Sequence, residues 1–270
     1  MSNQNKTTKG LLAVSFGTLH KETCDKTIGA IEGALAEAFP DHALYRAWTS
    51  RFIIKKLRES HGIHCDTLEE ALQRMAADGI KEVLVQPTHL LDGFENEKMR
   101  QVLAELADPF DSIRIGANLL DSESDIDAVS RIVLEDIYSE CCCDDASALV
   151  LMGHGNRHDP ASNEVYHMLQ KRLADQGGYH RVFVGTVEGS PTLEDVLAAL
   201  QKHGSITKAF VTPLMIVAGN HALNDMAGDD EDSWVNQIKG IGISAVPIIK
   251  GLGEYKAVQQ LFIDHATAAK

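Results

Sequence analysis

At 270 residues, with 44% hydrophobic and 24% charged residues, the chain has the make-up of a globular protein of one large or two modest domains. Its 39 acidic against 25 basic residues give a net charge of −14, which disfavours nucleic acid and anionic membrane as general partners because both reward a basic surface. No apolar run reaches membrane-spanning length, and the polar start MSNQNKTTKG lacks a signal peptide's apolar stretch, so a cytoplasmic location is expected.

The first β-like run, LLAVSF from Leu11, is followed by the amphipathic stretch DKTIGAIEGALAEAF. The second, ALYRAW from Ala43, leads into RAWTSRFIIKKLR (46–58), which carries Arg46, Arg51, Lys55, Lys56 and Arg58 and no acid. That segment reads either as a local site for an anionic small molecule or as the solvated face of an amphipathic helix. HGIHCD (61–66) reads as a polar loop between helices, and TLEEALQRMAADG as the next helix. EVLVQP from Glu82, NEKMRQVLAELA, SIRIGA from Ser112 and DIDAVSRIVLEDIY then continue the alternation. The acidic CCCDD run near 139–146 reads as a surface connection. Five cysteines without a secretory signal argue against a disulfide framework, and three adjacent ones lack metal-binding C-x-x-C spacing. Beyond it come ALVLM from Ala148, NEVYHMLQKRLADQG, RVFVG from Arg181, TLEDVLAALQKHG, KAFVTP from Lys208 and ISAVPII from Ile243.

Strands alternating with helices predict parallel sheets covered by helices, although eight strands alone also fit a closed barrel. An internal repeat separates the two. QPTHLLDGFENEKM and TPLMIVAGNHALNDM each carry Pro second and Gly six residues later, so that Glu95 and His221 both lie eight residues beyond their prolines, Pro87 and Pro213. Strands ending SFGT and GHGN place Ser15 and His154 at similar exits. The expectation is an α/β protein of two similar doubly wound halves, 1–140 and 146–270, each with a mainly parallel four-stranded sheet, facing across a cleft.

In ALVLMGHGNRHDP, Gly153 and Gly155 let the backbone turn as it leaves the strand, holding His154 at the carboxyl edge where open sheets bind ligands. A capped turn with a hydrogen-bonded histidine is the plainer alternative. His154, His221 and Glu95, with Glu188 of VGTVEGSP as a weaker candidate, make a nitrogen and carboxylate set suited to a divalent first-row metal. Glu95 and His221 also fit helix starts, and Glu188 a turn. His89, leaving the third strand, His158 and His167 stay unassigned, and AGDDEDSW reads as a solvated charge run.

The motifs LLAVSFGT, RAWTSRFIIKKLR, LLDGFENEK, MGHG, VEGSP and PLMIVAGNHALNDMAGDDEDSW together resemble the anaerobic sirohydrochlorin cobaltochelatases of the CbiK type, over nearly the full length. The resemblance implies a class II chelatase fold and insertion of cobalt(II) into sirohydrochlorin. It implies metal ligation by His154, Glu188 and His221, with His154 as principal base and Glu95 as a further acidic catalytic position. Ser15, Gly17, Arg46 and Arg51 are expected near the tetrapyrrole. Cobalt enters as substrate, no tightly bound cofactor is required, and a homo-oligomer stays open. The alternatives are a chelatase for iron or nickel, and a non-catalytic tetrapyrrole or metal carrier. A histidine phosphotransferase is disfavoured because Gly153, not Arg, precedes His154 and no G-K-[ST] loop occurs.

Overall fold

The computed structural model describes residues 7–142, 144–176 and 181–270; Cys143 of the CCCDD run and Gly177 of a predicted helix lie outside them. All eight predicted strands are present among the described residues, in two four-stranded sheets and not one barrel.

In the first sheet β1 (Lys9–Ser15), β2 (Ala43–Trp48), β3 (Glu82–Pro87) and β4 (Ser112–Ile115) pair in parallel in the order β2-β1-β3-β4. Strand alternation sends Leu12, Val14, Tyr45, Ala47, Val83 and Val85 to one face. There they pack on Leu68, Leu72 and Met75 of α4 (Leu68–Ala77) and on Met99 and Leu103 of α5 (Phe94–Glu105). The predicted helix after β1 is two, α1 (Lys21–Lys26) and α2 (Ile28–Ala38), which meet at Thr27. The basic segment becomes α3 (Arg51–His61), started by Ser50, whose hydroxyl accepts from the Ile53 N–H, and stopped by Gly62 at φ 64°.

The chain then runs through α6 (Glu123–Ile132), a π-helical stretch Val133–Tyr138 and the short α7 (Ser139–Cys141). Cys141 is half-buried and Cys142 buried, so helix packing and not a surface loop holds this part of the cysteine run. The second sheet, β5 (Ser147–Gly153), β6 (Val182–Thr186), β7 (Lys208–Pro213) and β8 (Ser244–Pro247), repeats the parallel order as β6-β5-β7-β8. Every residue of β5 is buried, which is why it reads as a continuous apolar run. On one face Val150 and Met152 pack on Val196 and Leu200 of α9 (Leu193–His203) and Ile238 of α10 (Trp234–Gly240). Truncating a buried residue of this face, for example Met152→Ala, costs about 2–5 kcal/mol. Along the sheet edge α8 (Glu164–Asp175) packs on β6, and α6 packs on α8.

The compact units differ from the boundaries read in the sequence. One unit runs to Asp121 and takes back Lys256–Lys270; the other is Ser122–Tyr255. The physical reason is twofold. Helix α6 packs on α8 and ion-pairs Asp127 to Arg172, whereas α11 (Lys256–Thr267) buries Val258, Phe262 and Ala266 and packs on α2 and β3. Lys270 also accepts a backbone bond from Ile115 at 2.9 Å. Among the described residues, no helix is long and apolar enough to cross a membrane.

Candidate active site

In each sheet the connection reverses between its first and third strands, β1 and β3 or β5 and β7, and open sheets bind ligands at the carboxyl ends beside such a switch point. The second unit places three chemical side chains there. His154 follows β5 directly. Gly153 leaves room for the Tyr166 ring, since a Cβ there would stand 2.4 Å from it. Gly155 adopts φ 73°, and a Cβ on it would meet the Gly189 nitrogen at 2.6 Å. Glu188 follows β6 in a turn tied to the β5 exit by Val187 N to Gly153 O, 3.0 Å, and Glu188 N to His154 O, 2.7 Å. Buried Asn163 clamps the β5 exit loop, accepting from Asn156 N at 2.8 Å and donating to Asn156 O at 2.9 Å.

His221 follows β7 and opens a π-helical turn, Ala222–Met226. Its ring stands edge-to-face with that of His154, centroids 4.7 Å apart and planes at 88°. Each imidazole has its Nδ1 occupied: His154 donates to the Gly155 carbonyl at 2.7 Å, and His221 to an Asp225 carboxylate oxygen at 2.6 Å. In the neutral ring with Nδ1 protonated, Nε2 carries the lone pair, the arrangement that second-sphere partners give to ligating histidines. Glu188 accepts from Arg157 at 2.6 Å, and that hydrogen bond, with the nearby histidines adding to it, holds its carboxyl below the usual carboxylate range.

The three ligand candidates do not yet form a closed shell. Among the described residues, His64, Asp66 and Glu70 alone bring three ligand atoms within 4.8 Å of one another. That cluster is spoken for. Asp66 pairs with Arg74 at 2.6 Å and bonds His64 at 3.0 Å, and Glu70 accepts from Thr67 N in a capping box. Arg157 bonds one of the two Glu188 carboxylate oxygens, Oε1.

Backbone bonds define which first-unit residues correspond to this set. Thr49 N to Ser15 O and Ser50 N to Phe16 O repeat Val187 N to Gly153 O and Glu188 N to His154 O, while Thr88 N to Val14 O repeats Leu214 N to Met152 O. Phe16 therefore stands where His154 does, Ser50 where Glu188 does, and Glu95, by its spacing from Pro87, where His221 does. The sequence comparison of Ser15 with His154 is one residue out. Ser15 is 1% exposed and its hydroxyl shares a 2.7 Å bond with Thr88, so it is committed within the first sheet. Gly17, at φ 96°, lies at the exit, where a Cβ would strike the Trp48 ring at 2.6 Å.

Arg46 lies within β2 and pairs with buried Glu32 of α2, Nε to Oε1 at 2.7 Å, a bond that raises its pKa further, while 42% of its side chain stays exposed. Arg51 remains exposed, pairs with Glu69 at 2.8 Å, and lines with Glu95, Lys98, Trp48 and Thr49 a pocket at the first unit's strand exits. Asp225 and Arg157 escaped assignment in the sequence. The signal for Asp225 was its position four residues after His221, one helical turn; Arg157 carried none.

A family model described as cobalt chelatase (CbiK) matches residues 9–270. The chain belongs to the CbiK cobalt chelatase family. Among its relatives, a sirohydrochlorin cobaltochelatase of Salmonella typhimurium is 38% identical over 257 residues, covering 95% of this chain and 94% of that one. The sirohydrochlorin cobaltochelatase CbiKC of Nitratidesulfovibrio vulgaris is 31% identical over 266 residues, 97% of this chain and 91% of that one. Among solved structures, SirB from Bacillus subtilis with Fe3+ aligns with a TM-score of 0.67 at 17% identity, covering 96% of this chain and 94% of that one. CbiX, described as the terminal enzyme for biosynthesis of sirohaem in denitrifying bacteria, gives 0.57 at 16% identity, covering 97% and 100%. At those identities the structures establish for this CbiK-family chain the class II chelatase fold and no more.

Proposed function

We infer that the chain is a sirohydrochlorin cobaltochelatase: cobalt(II) enters the metal-free macrocycle and two pyrrole protons leave. Family membership and the activity named for its relatives support the reaction. The observation that carries the site is the pair of imidazoles at 4.7 Å, each with Nδ1 committed and Nε2 free. Such nitrogens bind a first-row divalent ion, and a neutral imidazole also accepts a proton near neutral pH.

In this mechanism His154 and His221 receive cobalt through Nε2, and Glu188, kept ionised by Arg157, joins them as a ligand. As the ion passes to the ring, the His154 Nε2 is vacated and takes a pyrrole proton. Glu95, the first unit's acid at the position equivalent to His221, assists proton removal. The chain's contribution is chiefly positioning.

The test is anaerobic metal insertion, followed by the absorbance of sirohydrochlorin with cobalt(II), iron(II) and nickel(II) supplied separately. Catalysed turnover that drops at least about 100-fold in a folded His154→Ala variant is expected. Turnover indifferent to His154 would overturn the assignment of the base. A spectral change that stops at one equivalent would replace the enzyme with a carrier, and the ranking of metals measures the intrinsic preference.

A further inference from the structure

Consecutive side chains on a helix diverge, so two cysteines adjacent in sequence do not ordinarily meet. Here α7 ends at Cys142, whose backbone turns to φ −106° and ψ 73°, and the Sγ atoms of Cys141 and Cys142 stand 3.5 Å apart, where either thiol can donate to the other. Both are free thiols. They precede β5, at the opposite end of that strand from His154 and about 20 Å from it by strand geometry, so metal insertion makes no use of them.

The two sulfurs differ as an attacking and a resolving thiol must. Cys141 is half-buried and Cys142 buried. The Cys142 S–H holds the Cys141 thiol below the ordinary thiol range, against the opposing effect of burial, whereas the same bond and desolvation push Cys142 up. As a thiol Cys141 donates to the Ile137 carbonyl at 3.2 Å; as a thiolate it accepts from Cys142. Cys24 and Cys65, by contrast, are buried and have their thiols pushed up by desolvation, Cys24 to about 11.

We propose that Cys141 and Cys142 form a redox-active dithiol that exchanges with low-molecular-weight disulfides. The Cys141 thiolate attacks one sulfur of the small disulfide, forming a mixed disulfide and expelling the first thiolate. Cys142 then attacks the Cys141 sulfur, the second small thiolate leaves, and the Cys142 proton passes to it. The chain's pair thereby loses two electrons and closes to a disulfide between neighbours, while the small disulfide is reduced to two thiols. Neighbouring Cα atoms lie about 3.8 Å apart across a trans peptide, short of the ~4.4–6.8 Å usual for a disulfide, so the closed pair opens readily to excess thiol. The site is independent of the chelatase function above.

The full-length protein, reduced and then freed of reductant under anaerobic conditions, is treated with oxidised glutathione, and its remaining thiols are alkylated. The tryptic peptide 132–157, which contains Cys141, Cys142 and Cys143 and no other cysteine, is then weighed. The wild-type peptide is expected to take up two fewer alkyl groups than the untreated one, and to recover them after dithiothreitol. Cys141→Ser abolishes the closure, Cys142→Ser arrests it as a glutathione adduct on Cys141, and Cys143→Ser leaves it intact. A wild-type peptide that keeps all its thiols overturns the proposal without recourse to any variant. So does closure that requires Cys143, or closure that persists in Cys142→Ser protein shown by circular dichroism to be folded.

Discussion

Asp225 holds His221 by a 2.6 Å bond to Nδ1 across one turn, and so fixes both the tautomer and the direction in which Nε2 faces. A ligating histidine deprived of such a partner keeps its nitrogen but loses its aim and some basicity. Asp225→Ala is expected to weaken cobalt binding about 10–100-fold, with Asp225→Asn milder, and to leave sirohydrochlorin affinity intact. Cobalt titration in the absence of tetrapyrrole separates these effects, and equal loss of both affinities would argue against a role confined to the metal.

Arg157 imposes a pH dependence on Glu188. Its hydrogen bond keeps the carboxyl ionised below the usual carboxylate range, so in the wild type Glu188 stays a competent anion further into acid. In Arg157→Gln the carboxyl returns toward its ordinary value and is protonated at higher pH. The Glu188 carboxyl itself is therefore expected to take up its proton at higher pH in the variant than in the wild type. A carbon-13 NMR titration of the side-chain carboxyl in both proteins checks the direction, and equal midpoints would mean that Arg157 does not hold it ionised.

Gly155 combines a left-handed backbone with close backbone contact at the site. At φ 73°, with the Gly189 nitrogen 2.6 Å and the Thr186 Cβ 2.8 Å from where a Cβ would lie, it lets the β5 and β6 exits touch. Gly155→Ala is expected to cost about 1–3 kcal/mol in backbone strain and to separate His154 from Glu188. Turnover at saturating substrate should fall at least about 100-fold, since small displacements of positioned groups carry penalties of that order. Near wild-type turnover, measured alongside denaturant melts, would show that the exits tolerate displacement.

The β-strands were legible because buried parallel strands are short apolar runs between helix-period segments, and the repeat gave their grouping. The unit boundary was not. Leaving α6 to the first half overlooked its packing on α8, and the return of α11 depends on Val258, Phe262 and Ala266 finding α2, a contact separated by most of the chain. At the site, the glycines flanking His154 and the spacing from proline were enough to find both histidines. The partners of Ser15 and Arg46 were not legible for a common reason: what a polar strand residue bonds to is set by the fold and not by its neighbours in sequence. Thr88 and Glu32, which satisfy them, lie 73 and 14 residues away.

His89 shows the same limit at a titratable group. It leaves β3, as an active-site histidine would, yet it is half-buried, donates from Nδ1 to Asn96 Oδ1 at 2.9 Å, and has a buried Nε2 with no protein partner. Asn96 in turn donates to Leu91 O at 2.9 Å and Asn118 Oδ1 at 2.7 Å, so the network shapes the loop that leads to Glu95. Burial depresses the His89 pKa, chiefly through desolvation. The folded state therefore keeps this ring neutral while the unfolded chain protonates it below about pH 6.5. Between the folded and unfolded values the unfolded state binds more protons, so stability is full above about pH 6.5 and falls on acidification by up to about 1.4 kcal/mol per pH unit until the folded ring also protonates. His89→Leu is expected to be less stable at pH 7.5 by about 1–3 kcal/mol, because Asn96 Oδ1 loses its donor, but to show a flatter dependence between pH 7 and 5. Urea midpoints across that range decide it; parallel slopes in the two proteins would mean that His89 is not the group that makes this unit acid-sensitive.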